Sequence, residues 1–153
     1  MHRLINAAAR VTTVAGILAT TVLTGTNAQA ASGGGCAGYS SGVIRERFIE
    51  MRVCISAPSH GVGRPDGFLT LRSGHPACKV FIRAVRTGGS RVVSNKVHTC
   101  PSGAFRTKRF AAPDFNDSHH EEGEGYATYM QVQWSDGSWA PPYPYRSPWL
   151  KLP

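Results

Sequence analysis

The chain has 153 residues, with 17 basic and nine acidic side chains and a formal net charge of +8. Glycine (17 residues) and proline (10 residues) are frequent, and few stretches carry the apolar stripe of an amphipathic helix. The length suits one domain and excludes a large multidomain protein. The composition excludes a mainly helical protein and favours many short strands joined by tight turns.

The first thirty residues have the three parts of an export signal. Residues 1–10 are basic, residues 11–23 are apolar and uncharged, and residues 28–30 (Ala-Gln-Ala) form a small-x-small cleavage site. The apolar run is too short to cross a membrane as a helix. We therefore predict a signal peptide over residues 1–30 and a secreted, extracellular mature protein without a transmembrane segment. The mature chain keeps fifteen basic and nine acidic residues, a net charge of +6.

Four cysteines lie beyond the signal, where the compartment allows them to oxidise: Cys36, Cys54, Cys78 and Cys100. They allow three pairings. We prefer Cys36–Cys54 and Cys78–Cys100 because of the strand geometry described below, and each bridge would contribute about 3 kcal/mol. Residues 31–42 are rich in glycine and serine and are predicted to be a flexible N-terminus, held only if Cys36 is bridged.

The folded domain is predicted over residues 43–153 and begins with a strand at residues 43–57. Alternate residues there are apolar, which indicates a strand with one buried face: Ile49, Met51, Val53 and Ile55. Cys54 falls on the other, outward face, where it can hold Cys36. Residues 57–67 are dense in glycine and proline and are predicted to form a loop before a short strand at residues 68–72.

A hairpin is predicted from residues 78–86 and 91–100, because Gly88 and Gly89 suit a two-residue turn. Pairing Thr87 with Ser90 places Cys78 opposite Thr99, so that a small bulge would bring Cys78 to Cys100. The same register places three cations together on the outward face: Lys79, Arg83 and Lys96.

Further strands are predicted at residues 104–111, 126–134 and 149–152, and residues 140–145, which contain three prolines, are predicted to be an edge strand or an extended segment. About seven short strands with a turn signal every 8–12 residues indicate an all-β, two-sheet immunoglobulin-like β-sandwich. A small closed barrel is the alternative.

The chain also resembles a known type of protein. Cys78-Lys79-Val80, Cys100-Pro101-x-Gly103 and the closing strand at residues 126–134, in an exported chain with two disulfides, resemble small secreted two-disulfide β-sandwich proteins of actinobacteria. The resemblance covers most of the mature chain. The resemblance implies the sandwich fold. It implies no activity, because none is assigned to those proteins.

Charge is unevenly distributed along the chain. Residues 67–113 contain no acidic residue and nine basic ones: Arg72, Lys79, Arg83, Arg86, Arg91, Lys96, Arg106, Lys108 and Arg109. A basic sheet face attracts anionic polymers, and salt weakens this attraction. The alternative is a solvated outer face whose charges only keep the protein soluble. For an exported protein, an anionic cell-wall polymer or an anionic lipid is a nearer partner than nucleic acid, for which no motif is present.

Five acidic residues and two histidines lie in residues 114–124. The spacing is neither that of an EF-hand nor that of a zinc enzyme, so we predict an exposed polar loop and no cofactor. A weak metal site at His119 and His120 is the alternative.

Five aromatic residues lie near the C-terminus: Trp134, Trp139, Tyr143, Tyr145 and Trp149. Alternation places Trp134 in the core, whereas Tyr143 and Tyr145 lie between prolines and are expected to be exposed. Exposed rings of this kind are typical of sugar-binding surfaces, because the C–H faces of sugars stack on them.

No catalytic motif is present, and paired cysteines would leave no thiol nucleophile, so we predict that the protein is not an enzyme. We predict a secreted β-sandwich that binds an anionic or carbohydrate cell-surface polymer. The candidate ligand-binding residues are Lys79, Arg83, Lys96, Arg106, Lys108, Tyr143 and Tyr145. The alternative is a secreted inhibitor or effector that engages a protein partner through the loop at residues 57–67.

Overall fold

The computed structural model describes residues 31–37, 44–88, 91–117 and 125–152, and the signal predicted at residues 1–30 lies outside these ranges. Within them the regular structure is β-strand. Seven strands have seven or more residues, and five have two. The strands are β1 (Ser32–Gly33), β2 (Gly35–Cys36), β3 (Ile44–Arg45), β4 (Ile49–Ser59), β5 (Val62–Leu71), β6 (Cys78–Arg86), β7 (Val92–Thr99), β8 (Phe105–Ala111), β9 (Phe115–Asn116), β10 (Tyr126–Trp134), β11 (Trp139–Arg146) and β12 (Leu150–Lys151).

Two antiparallel sheets pack against each other as a β-sandwich. Sheet A has the strand order β1-β12-β10-β6-β7, with β11 also paired to β10. Sheet B has the order β2-β4-β5-β8, with β3 paired to β4 and β9 paired to β5. The contacts between the sheets are made chiefly by β10 with β4 and β5, and by β5 with β6. The predicted all-β sandwich fold is therefore confirmed.

The core lies between the sheets and consists of alternate residues from the central strands. Its main cluster contains Ile49, Met51, Val53, Leu69, Leu71, Cys78, Val80, Phe110, Met130 and Val132. A second cluster contains Ile55, Ala84, Phe115, Tyr126 and Leu150. The alternation predicted for β4 and β10 is confirmed, because the alternate apolar residues of both strands are buried.

Both predicted disulfides are present. Cys36 lies directly opposite Cys54 in the pairing of β2 with β4, and the two residues are bridged. Cys78 is bridged to Cys100, whose backbone N–H donates to the Cys78 carbonyl over 2.9 Å. No cysteine of the folded domain is left free.

The N-terminal segment joins the two sheets. β1 pairs with β12 of sheet A, and β2 pairs with β4 of sheet B. The chain changes sheets at Gly34, where φ is +78° and an added Cβ would lie 3.0 Å from the Ile55 carbonyl oxygen. Residues 32–36 thus form strands within the segment expected to be flexible, whereas residues 38–43 lie outside the described residues.

The prediction of a loop at residues 57–67 is wrong, because β4 and β5 form a hairpin there. Ser59 pairs with Val62 across a two-residue turn in which Gly61 has a φ of +66°. Pro65 is tolerated within β5 because β8 ends at Ala111 and β9 begins at Phe115, so no regular neighbour faces the missing N–H.

The predicted register of the β6–β7 hairpin holds only near its turn. Val85 pairs with Val92 as expected, but the register then shifts, and Ala84 pairs with Ser94. Val93 is the additional residue of this β-bulge. Lys96 consequently lies opposite Ile82, on the face of β7 that points toward sheet B. The same shift in register places Cys100 directly opposite Cys78, to which it is bridged.

Candidate functional site

The outer face of sheet A is formed by the side chains of β6, β7, β10 and β11 that point away from sheet B. On β6 the exposed or half-buried residues Lys79, Phe81 and Arg83 alternate with buried Val80 and Ile82. Pairing with the neighbouring strands extends each outward residue into a row. The rows are Thr99, Lys79, Gln133 and Trp139; Val97, Phe81 and Gln131; and Asn95, Arg83, Tyr129 and Arg146.

A cavity of about 420 Å³ lies on this face. Its lining includes Phe81, Arg83, Asn95, Val97, Tyr129, Gln131 and Trp139. The Phe81 and Trp139 rings reach toward each other across β10, with centroids 5.0 Å apart and an interplanar angle of 59°. Within the described residues, four large apolar side chains are exposed, and the cavity includes Val92, Val97 and Trp139 among them. The face is therefore unusually apolar for an exposed sheet.

One wall of the cavity is built by an irregular part of β11. The pairing between β10 and β11 passes from Met130–Tyr145 to Val132–Ala140, so residues 141–144 bulge out of the ladder. Gln131 supports the bulge, because its Nε2 donates to the carbonyls of Pro141 (2.9 Å) and Pro142 (3.2 Å). Pro144 of this bulge lines the cavity.

The charges on this face are all positive. The sequences of β6, β7, β10 and β11 contain no aspartate or glutamate. The guanidinium carbon of Arg83 lies 5.8 Å from the centroid of the Tyr129 ring, which leaves its N–H donors available. In the described part of the chain, neither Lys79 nor Arg83 forms an ion pair with a carboxylate.

The outer face of sheet B differs, because three of its arginines are paired with carboxylates. Arg64 binds Asp114 through two nitrogens, with a shortest distance of 2.7 Å. Arg109 binds the nearly buried Asp66 over 2.8 Å, and Arg72 binds Glu50 over 2.5 Å. The hydrogen bond from Arg64 holds the pKa of Asp114 below its ordinary value, so this carboxylate remains ionised.

The structure separates the basic residues that were predicted to form one site. Lys79 and Arg83 share the outer face of sheet A, as predicted. Lys96 is among the residues that line the cavity, but its pairing with Ile82 places it on the opposite side of β7, where Ser94 donates to the Pro113 carbonyl and His98 contacts the Ala111 carbonyl. Arg106 and Lys108 belong to β8 in sheet B. The prediction that Lys96 shares the outward face is therefore wrong, and the bulge at Val93 is the reason.

The aromatic candidates also have different surroundings. Tyr143 is 83% exposed but is not among the residues that line the cavity. Tyr145 is half-buried and packs against the main core cluster, because it lies opposite Met130. Its expected exposure is therefore corrected. Trp134 packs against the core as predicted, with the Phe48 ring at 5.9 Å.

Several cavity residues were not among the sequence candidates, chiefly Phe81, Asn95, Val97, Tyr129 and Gln131. The alternation of β6 contained a signal for Phe81, because this residue lies between Lys79 and Arg83 on the outward face. Tyr129 and Gln131 alternate in the same way on β10. Their assembly depends on the pairing of β6 with β10, which no local pattern specifies.

His119 and His120 lie outside the described residues, so the metal site considered there stays a prediction. Within the described ranges, no group of three or more histidine, cysteine, aspartate or glutamate side chains is arranged to hold a metal ion. A search of the same residues finds no helix with the length and hydropathy required to span a membrane.

No protein-family model matches the chain, and no curated protein matches it. Among solved structures, the chain is similar to chicken MD-1 complexed with lipid IVa. The sequence identity is 9% and the TM-score is 0.30, over 72% of this chain and 94% of the MD-1 chain. A likeness of this size does not bear on the function of the present protein.

Proposed function

We propose that this is a secreted, non-catalytic protein that binds a cell-surface polysaccharide on the outer face of sheet A. The observation that carries the proposal is the cavity in which Phe81 and Trp139 form a partly exposed aromatic pair. Sugars present apolar C–H faces that pack on such rings. A folded domain otherwise gains little from leaving Trp139 and Val97 exposed around one cavity, at 39% and 51%.

Polar groups around the rings suit the hydroxyl groups of a sugar. Asn95 and Gln131 line the same cavity and provide amide groups. Because the Gln131 nitrogen is held by the carbonyls of the proline bulge, its orientation is fixed and its oxygen is left as an acceptor. A mainly apolar cavity with a few fixed polar groups is the usual composition of a small-molecule or sugar site.

The stabilising chemistry of the chain supports a role outside the cell. Two disulfides are stable in an oxidising compartment, and residues 1–30 have the pattern of an export signal. Since all four cysteines are bridged, no thiol is left as a nucleophile.

The alternative function, binding of a protein partner through a loop at residues 57–67, requires a protruding loop that the structure does not contain at these residues. These residues form the β4–β5 hairpin instead of a protruding loop. Arg64 lies within β5 and is bound by Asp114, so it is not presented to a partner. We therefore do not propose it as a second function.

Retention on insoluble bacterial cell wall tests the proposed function. The variant Trp139→Ala removes half of the aromatic pair and is expected to lower the affinity about tenfold or more, whereas Trp139→Tyr keeps a ring and retains most of the binding. Tyr143→Ala removes a more exposed ring from outside the cavity and serves as the matched control.

Thermal unfolding of each variant shows whether the fold is kept. Absence of retention for the wild-type protein at low salt would contradict the proposal. Equal loss of retention in Tyr143→Ala and Trp139→Ala would also contradict it, because the binding surface would then lie elsewhere.

A further inference from the structure

A second cavity follows the first along β6. It has a volume of about 360 Å³, and its lining includes Lys79, Thr99 and Gln133. These three residues form one row of the outer face, and Phe81 and Gln131 of the first cavity belong to the next row. Trp139 of the first cavity shares the row of Lys79, so the two cavities adjoin on the same open face, which makes the surface longer than a site for one sugar unit.

Cations lie at both ends of this surface. Lys79, Phe81 and Arg83 project from the same side of β6, and the four residue steps from Lys79 to Arg83 span about 13 Å. Phe81 lies between the two cations along β6, and Trp139, on the far side of β10, lies in the same row as Lys79. The order along the strand is therefore cation, aromatic ring, cation, and the Trp139 ring contacts the Phe81 ring from the Lys79 end.

The contrast between the sheets indicates what these cations are for. Three arginines of sheet B, Arg64, Arg72 and Arg109, have carboxylate partners within the protein, at Asp114, Glu50 and Asp66. The four strands of the opposite face carry no carboxylate at all. An external anion is the complementary partner for Lys79 and Arg83, and charge complementarity of this kind selects the partner and accelerates association.

We propose that the ligand is a linear acidic polysaccharide that lies along β6. Acidic groups on separate sugar units meet Lys79 and Arg83, and the sugar between them packs on Phe81, beside the ring of Trp139. This inference rests on the proposed function and specifies its ligand: a neutral glycan would leave both cations without a partner, and a single acidic sugar would reach only one of them.

Cell walls with and without their acidic polymers distinguish this inference from the general proposal. Intact walls are compared with the same walls after mild acid extraction, and the released polymer is separated by size and used as a soluble competitor. We expect retention on intact walls that falls with sodium chloride, little retention on extracted walls, and competition by long fragments but not by single units.

Charge-removing variants locate the contacts. Lys79→Gln and Arg83→Gln are each expected to lower the affinity for intact walls about tenfold, since each removes a hydrogen bond to a charged group. Arg52→Gln, an exposed arginine on the outer face of sheet B, is the matched control and should change nothing.

The outcomes separate the two proposals. Equal, salt-independent retention on intact and extracted walls, with loss only in Trp139→Ala, would overturn the acidic ligand and keep the polysaccharide-binding function. Retention on neither wall would overturn both. Competition by single units as effective as that by long fragments would overturn the extended arrangement along β6.

Discussion

Arginine has different surroundings on the two faces of the sandwich. Arg64, Arg72 and Arg109 bind carboxylates on sheet B, whereas Arg83 lies over the ring of Tyr129 on sheet A. Exposed ion pairs contribute little to stability, so their main effect here is to cancel part of the charge on one face. The chain is strongly basic, but the location of its uncompensated charge is set by these residue-level contacts.

Asp114 provides a test of this charge cancellation. The pKa of Asp114 in the folded protein is lowered, chiefly by the hydrogen bond from Arg64. A lowered carboxyl pKa stabilises the folded state above the ordinary pKa of the group, and the stabilisation is lost as pH falls through the lowered pKa. We expect Asp114→Asn to cause a small decrease in Tm at pH 7, which disappears progressively below about pH 4.

Thermal unfolding between pH 7 and pH 2 measures this difference. Arg64→Gln should give the same profile, and the double variant should show no further decrease, because each single change removes the same interaction. A difference in Tm that does not vary with pH would contradict the assignment.

Individual elements were predictable where the alternation is complete and turn residues flank it. β10 was predicted at residues 126–134 and has these bounds, because an unbroken alternation is followed by the turn at residues 135–138. The β4–β5 hairpin was missed because its glycines and prolines serve packing within strands. Gly63, for example, lies under the ring of Phe115. The bulge at Val93 has no sequence signal, since it depends on how β6 and β7 pack against the rest of the sandwich.

The contact of Gly63 with Phe115 makes a prediction for this element. A Cβ at Gly63 would lie 2.1 Å from the nearest atom of the Phe115 ring, which is an impossible approach without movement. We expect Gly63→Ala to lower the free energy of unfolding by about 1–3 kcal/mol, the usual cost of overpacking. Denaturant unfolding measures the change.

Gly125→Ala is the matched control, because its Cβ would meet its neighbours at ordinary distances of 3.5 Å or more. The cost of Gly63→Ala should fall in a Phe115→Leu background, where the crowding is reduced. An unchanged cost in that background would show that the ring is not the cause.

At the scale of the whole molecule, the sandwich class and both disulfides followed from local patterns, but only part of the candidate site did. Lys79 and Arg83 were placed on the correct face by alternation alone. Phe81, Tyr129 and Trp139 belong to three strands, and they meet only because β10 lies between β6 and β11. Such strand neighbours are a property of the complete topology, so the aromatic cavity could not be derived from any single segment.

The two disulfides join different parts of this molecule and should therefore differ in their functional effect. Their sequence separations of 18 and 22 residues are similar, so removal of either bridge by paired serine substitutions should lower the free energy of unfolding by about 3 kcal/mol. Cys36–Cys54 fixes the N-terminal segment to sheet B, whereas Cys78–Cys100 closes the end of β6–β7, where Cys78 lines the second cavity.

We therefore expect Cys78→Ser/Cys100→Ser to weaken retention on intact cell wall and Cys36→Ser/Cys54→Ser to leave it nearly unchanged. Both measurements are made at a temperature where circular dichroism shows that each variant is folded. Equal weakening by the two pairs would contradict a ligand that extends to the Lys79 end of β6. The reason is that only the Cys78–Cys100 bridge lies at that end, and a loss common to both variants would reflect stability alone.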